Sequence, residues 1–259
     1  MSASRAAGAS GGPAPLVPPS VYQAPAWAAG ATGRGVTVAV VDSGWHRERN
    51  DARVLPGIAI EVDGDGTVRE TEDDRDRTGH GTGVAHHLLA VAPGCHVLPV
   101  RVFGESIETS PRVLVAGIDA AMRLGAGVVN LSLGTDSEDA LRPLYAACIR
   151  ARQAGAILVA AGGNIGETAY PAVFDPVIGV SAGEFASPFD FRYHANAALE
   201  VEALAMRVPV VTLNGRRRGA AGTSVAAGGV SGIVARLLEM HPGASVDDIR
   251  ALLARFAAR

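Results

Sequence analysis

A doubly wound α/β fold, with a mostly parallel central sheet and helices on both faces, is what this sequence predicts. Three observations predict it. From Gly35 onward, short β-branched runs alternate with longer helical patterns, the order that parallel βαβ units impose. The strand-like runs are apolar throughout and do not alternate with polar residues, as strands covered on both faces require. Apolar residues make up 48% of the chain but aromatics only 5%, so the core must be built from Ala, Val, Leu and Ile in close contact. A chain of 259 residues accommodates this as one large domain. We place that domain at 17–259, after an Ala-, Gly-, Ser- and Pro-rich stretch over 1–16 that is expected to be a flexible tail.

In chain order, the first strand is predicted over 36–41, where β-branched residues run straight into Asp42-Ser43-Gly44. A charge-rich stretch over 61–77 follows and is expected to be solvated, with Asp63-Gly64-Asp65-Gly66 as a turn: it lacks the distal glutamate of a calcium loop. A helix is predicted over 80–90, a strand over 96–102, and a helix over 110–124 whose start is marked by Ser110-Pro111. Strands over 127–133, 157–161 and 177–181 and a helix over 138–154 continue the alternation. Two helices close the chain, over 223–240 and 245–256; the second begins at Ser245 with Asp248 three residues on, a capping-box pattern. The run Arg216-Arg217-Arg218 reads as solvated surface, although it neighbours Ser224 and could select charged groups on a substrate.

Composition narrows the function classes. A formal charge of −3 gives no field that would draw nucleic acid or an anionic membrane. All 23 basic residues are arginine, which together with the Ala and Gly usage reflects overall composition bias. Cys95 and Cys148 have neither metal-ligand spacing nor disulfide-framework spacing and read as free buried thiols. The first residues lack a secretory apolar segment, and no stretch is long and apolar enough to span a membrane. His46, His86, His87, His96, His194 and His241 read as structural. No cofactor or metal is expected.

In open α/β sheets, ligands sit outside the carboxyl ends of the strands, so polar residues placed where apolar strands stop are the ones to weigh. Asp42 follows the first strand, His80 opens a helix within Gly79-His80-Gly81-Thr82, and Ser224 opens another after Gly222-Thr223. Amide hydrolysis at neutral pH needs a hydroxyl that is deprotonated as it attacks, an imidazole to take and return that proton, and an anion to fix the imidazole tautomer. Ser224, His80 and Asp42 supply these types. Donors aimed at the oxyanion are also needed; the Ser224 N–H at a helix N-terminus and the Asn164 amide, just past the 157–161 strand, are candidates.

The segments Val38-Ala39-Val40-Val41-Asp42-Ser43-Gly44, His80-Gly81-Thr82, Ala161-Gly162-Gly163-Asn164 and Gly222-Thr223-Ser224 resemble, in order, the four signature boxes of the subtilisin-like serine proteases. Val91-Ala92-Pro93, Asn130-Leu131-Ser132-Leu133-Gly134 and Tyr170-Pro171 resemble segments between those boxes, so the likeness runs from about Val17 to the C-terminus. It implies a subtilisin-like fold, Asp42, His80 and Ser224 as the triad, and Asn164 as the oxyanion donor. It also implies that Ser132-Leu133-Gly134 is a backbone edge on which a peptide lies as an added strand, with Phe103-Gly104 on the other side. Ala160, Ala161 and Gly162 would leave room for a sizeable side chain before the scissile bond, with Ile165 on an apolar rim.

The chain departs from the family pattern in places. Gly83 stands where the family has a second histidine and His86 where it has glycine. Val225, Gly228 and Gly229 stand for Met and a Pro-His pair. Gly228-Gly229 reads first as close packing, second as a reshaped acyl-enzyme site that would favour joining over cutting. The family's calcium loop after the histidine helix is expected to be absent, and a full folding prosegment does not fit ahead of the first strand; Pro13 to Pro19 is a candidate blocking peptide. The expected protein is a cytoplasmic serine endopeptidase acting on peptide or protein, selective enough to remove a leader from a peptide natural-product precursor. The alternatives are a transpeptidase or macrocyclase using the same acyl-enzyme, and a catalytically inactive peptide-binding module.

Overall fold

A computed structural model describes residues 22–46, 51–163 and 169–258. The tail over 1–16, Asn164 and Ile165 lie outside the described residues. Nine strands form one sheet in the order β3-β2-β4-β1-β5-β6-β7-β9-β8. They are β1 (Thr37–Asp42), β2 (Ile58–Val62), β3 (Val68–Thr71), β4 (His96–Arg101), β5 (Val128–Leu131), β6 (Ile157–Ala161), β7 (Val177–Gly183), β8 (Arg192–Tyr193) and β9 (Val201–Leu204). Pairing is parallel from β2 across to β9, and only the edge strands β3 and β8 are antiparallel.

Period-two geometry explains why these strands are apolar throughout. In β1, Val38 and Val40 face one core, with α1 (His80–Val91), α4 (Thr223–Met240) and α5 (Val246–Phe256). Ala39 and Val41 face the other, with α2 (Pro111–Arg123) and α3 (Leu141–Gln153). Each face of the strand needs its own apolar set. Both predicted helix starts are present: the Ser110 side chain accepts from the Val113 N–H with Pro111 behind it, and Ser245 and Asp248 form a reciprocal capping box.

β1 lies between β4 and β5, pairing Asp42 with Arg101 on one side and Val41 with Leu131 on the other. On one side the chain leaves β1 for β2 and the edge strand β3 and returns to β4; on the other it runs outward from β5 through β6 and β7. The parallel neighbours β1 and β5 end side by side, so ligands are expected outside their carboxyl ends.

One expectation needs correction. The stretch over 61–77 is not simply solvated: Glu61 lies in β2, β3 forms from within the stretch, and Asp74 and Asp76 are buried. The turn at Asp63 does form, closed by Gly66 N–H to the Asp63 carbonyl at 2.9 Å, and it joins β2 to β3. Arg216, Arg217 and Arg218 are exposed, as expected, and they lie at a second hairpin: β10 (Val208–Val211) and β11 (Arg217–Ala220) pair antiparallel, separate from the main sheet. Its apolar side packs Val208 and Val210 with Leu204 and Val225. Cys95 and Cys148 are both free and buried, and burial pushes both thiols up to about 12.

Candidate active site

Asp42 ends β1 fully buried, and its carboxylate faces the His80 ring at the start of α1: Nδ1 lies 2.8 Å from Oδ1 and 3.0 Å from Oδ2. The Ser43 N–H also donates to Asp42 Oδ1, at 2.6 Å. The attraction of Asp42 raises His80 above the usual imidazole value; desolvation and the Arg218 charge oppose this, while Asp76 adds to it.

Gly44 lets the chain leaving β1 run close against the Asp74–Arg75 segment. Its φ is 102°, and a Cβ there would sit 2.2 Å from the Asp74 carbonyl oxygen, so no other residue fits without displacing backbone. Below it, buried Asp76 organises the entry to α1. Its Oδ1 accepts from Ser43 Oγ at 2.8 Å and from the Gly79 N–H at 2.7 Å; its Oδ2 accepts from the Thr82 N–H at 2.9 Å and hydroxyl at 2.6 Å. Ser43 Oγ in turn accepts from the Gly81 N–H at 2.8 Å. Asp76 thus supplies the acceptors that the cap residue Gly79 has no side chain to provide.

Ser224 lies in the first turn of α4, behind Gly222 at φ 127°. A buried polar chain ties it to the end of β5. Ser231 Oγ donates to Asn130 Oδ1 at 3.0 Å, Asn130 Nδ2 donates to Ser132 Oγ at 2.8 Å, and Ser132 Oγ donates to the Ser224 carbonyl at 3.2 Å. The Ser224 hydroxyl donates to the Ser132 carbonyl at 3.2 Å and makes no hydrogen bond to His80.

Two cavities meet at Ser224. One, of about 530 Å³, is lined by Ser132, Leu133, Gly134, Ala161, Gly162 and Thr223, among others. The second, of about 260 Å³, is lined by His80, Gly83, Val210, Arg218 and Val225. His80 and Ser224 thus border one space. Small side chains open the first cavity, and the peptide groups of Leu133 and Gly134 have no backbone partner among the described residues. Two expected substrate contacts fall elsewhere. Ala160 is fully buried, because its position in β6 points it into the opposite core; Phe103 is buried too, with its carbonyl taken by the Arg101 guanidinium at 3.0 Å. Only Gly104 of that pair is exposed.

The Subtilase family profile matches residues 33–259. The chain belongs to that family. Subtilisin DY from Bacillus licheniformis is 30% identical over 86% of this chain and 84% of its own. The major intracellular serine protease of Bacillus subtilis is 30% identical over 81% and 70%. A cold-adapted subtilisin-like serine proteinase shares the fold, with a TM-score of 0.70 at 22% identity over 93% of this chain and 88% of its own. This subtilase is a subtilisin-like serine protease, and serine endopeptidase activity is what the family performs.

Reading the sequence of this subtilase did not single out Asp76, Asn130 or Ser231. Asp76 was submerged in a charge-rich run; the available signal was an acid placed four residues before His80, ahead of a glycine that cannot cap. Asn130 stands out in hindsight as an amide inside an otherwise apolar strand, where a buried polar group needs a partner. Ser231 carried no signal, because a serine within a helix is ordinary. Among the described residues, no three His, Cys, Asp or Glu side chains are placed to hold a metal ion, and no helix is long and apolar enough to cross a membrane.

Proposed function

We propose that this subtilase cleaves peptide bonds through an acyl-enzyme on Ser224, with His80 as general base and Asp42 as the group that orients it. The observation that carries the reading is the Asp42–His80 contact at 2.8 Å on the rim of a cavity that Ser224 also borders. With the proton on Nδ1 held by Asp42, His80 Nε2 is the free base. The Ser224 hydroxyl rotates about its Cα–Cβ bond from Ser132 toward His80, gives up its proton and attacks the scissile carbonyl. The imidazolium, favoured by the Asp42 charge, then protonates the leaving amine. Water repeats the sequence to release the acid. The Ser224 N–H and the Asn164 amide would face the oxyanion.

The substrate's acyl side would lie along Ser132, Leu133 and Gly134 as an added strand, using peptide groups without a backbone partner. A sizeable side chain would enter beside Ala161 and Gly162. We further propose a selective processing role in the cytoplasm, such as leader removal from a peptide natural-product precursor; similarity to a protease named as intracellular supports the compartment. The joining alternative loses its motive, since Gly228 and Gly229 face α1: Cβ atoms there would meet Val84 at 3.0 Å and His87 at 2.8 Å.

Incubation with a diverse peptide library, with products read by mass spectrometry, tests the reading. Expected are new termini bearing the elements of water, with turnover reduced by about 10³-fold or more in Ser224→Ala and in His80→Ala. Ligated products without hydrolysis, or undiminished cleavage by Ser224→Ala, would overturn it.

A further inference from the structure

The second cavity has a chemical polarity that the reaction alone does not require. Both cavities reach Ser224, but only the smaller one is lined by His80. The leaving nitrogen must come within hydrogen-bonding reach of the imidazole that protonates it, so the residue following the scissile bond projects on the His80 side. The smaller cavity is therefore where that residue's side chain goes.

Besides His80 and Ser224, its walls are built from small and apolar residues, with two further polar side chains, Thr212 and Arg218. Gly83 presents no side chain, and a Cβ there would find Val210 no nearer than 3.7 Å. Val84, Val210 and Val225 supply apolar surface. Of these polar side chains the one with a fixed charge is Arg218 on β11, opposite Val210 in the hairpin register; the Thr212 hydroxyl already donates to Asn214 Oδ1. Most arginines whose contacts are described here hold a carboxylate or a carbonyl: Arg101 pairs with Glu61, Arg150 with Asp119, Arg250 with Glu200, and Arg236 donates to backbone. Among the described residues Arg218 has no such partner, and neither do its neighbours Arg216 and Arg217. The nearby carboxylates of Asp42 and Asp76 are buried behind His80 and already engaged. An exposed cation lining a small cavity makes that cavity favourable to an anion and unfavourable to a second cation.

We propose that Arg218 is a specificity-determining residue that selects peptides carrying Asp or Glu immediately after the scissile bond. The inference rests on the acyl-enzyme reading above, because that reading fixes which cavity receives the leaving side. It also accounts for a feature of the sequence that catalysis leaves unused, an arginine run six residues ahead of the nucleophile.

The test uses the full chain and quenched peptides identical except for Glu, Gln or Lys after the scissile bond, built on a sequence found cleavable in the library. The influence of Arg218 on His80 makes absolute rates ambiguous, so the quantity read is the ratio of kcat/KM for the Glu and Lys peptides within each protein. Wild type is expected to favour Glu over Lys by about fivefold or more, the scale of one exposed ion pair gained against one repulsion. The ratio should approach one in Arg218→Gln, invert in Arg218→Glu, and shrink in wild type as salt is raised to about 0.5 M, where screening acts within a few ångströms. A wild-type ratio near or below one, or a Glu preference retained in Arg218→Gln, overturns the proposal. A nitroanilide substrate with the same acyl sequence, which has no residue after the bond, reports on the acyl-enzyme separately. If wild type turns it over while the peptide ratios are flat, Arg218 selection fails and the Ser224 reading stands. If Ser224→Ala turns it over equally, both fail.

Discussion

Asp76 shows how much of a reactive arrangement lies one layer behind the reacting atoms. It touches neither His80 nor Ser224 by hydrogen bond, yet it accepts from Ser43, Gly79 and Thr82, and so fixes both the turn after Asp42 and the first turn of α1. Asp76→Ala would leave buried donors without acceptors, each at about 1–3 kcal/mol. We expect a loss of about 3 kcal/mol in urea denaturation together with a fall in kcat that exceeds any rise in KM. At His80, the raised pKa gives a signed prediction. The neutral imidazole is the base, so kcat/KM should rise with pH through a midpoint above the usual imidazole value. Arg218→Gln removes a charge that opposes protonation and should move that midpoint further up, as a pH–rate profile would register. Unchanged or lowered midpoints would contradict the electrostatic account. At this scale the sequence was most legible where chemistry coincides with a strand or helix end, as at Asp42, His80 and Ser224, and least legible where a residue acts through others, as Asp76 and Asn130 do.

At the level of elements, the contact between α1 and α4 decides how the nucleophile-bearing helix sits. Gly228, Gly229 and Gly232 let the two helices close on one another; Cβ atoms there would lie 3.0 Å from Val84, 2.8 Å from His87 and 2.8 Å from Val91. Alanine gains about 1 kcal/mol over glycine in helix propensity, but overpacking a tight interior costs about 1–3 kcal/mol. At Gly229 the contact is with the buried, unyielding His87 ring, so packing should win. Gly229→Ala is expected to destabilise by about 1 kcal/mol, and His87→Ala in the same chain should remove most of that increment, a coupling a double-mutant cycle measures. His87 also gives the helix pair a pH dependence. Burial, with the His86 charge adding to it, pushes its imidazole down to about 3, below the unfolded value of about 6.5. This pKa is depressed on folding, so its contribution is complete above about pH 6.5 and is lost as pH falls toward 3, at up to about 1.4 kcal/mol per pH unit. Stability measured from pH 7 down to 4 should fall less steeply in His87→Asn. The helices and buried strands were legible here because their periodicity is strong. The hairpin β10–β11 was not, since four-residue strands containing Pro209 and an arginine run carry no strand signature. The β2–β3 hairpin was hidden in the same way by its charges.

Across the whole molecule, one topological fact assembles the site. β1 and β5 are parallel neighbours, so their carboxyl ends open at the same edge of the sheet, and α1 and α4 pack side by side on one face to bring His80 and Ser224 to it. The alternation of strands and helices made the doubly wound class readable, but not the antiparallel edges, because edge pairing depends on partners distant in sequence. Nor did the sequence tell that the site divides into two cavities of different character, with the larger beside Gly134 and Ala161 and the smaller beside His80 and Arg218. That division follows from how the β10–β11 hairpin lies against α1 and α4.

The claim on which all of this depends is that Ser224 becomes nucleophilic through His80. Reaction of the intact protein with a fluorophosphonate, followed by peptide mapping, addresses it most directly. One adduct on the peptide that contains Ser224, absent in Ser224→Ala and formed about 10³-fold more slowly in His80→Ala, is the predicted result. An adduct on another residue, or labelling of Ser224 at an undiminished rate without His80, would contradict it.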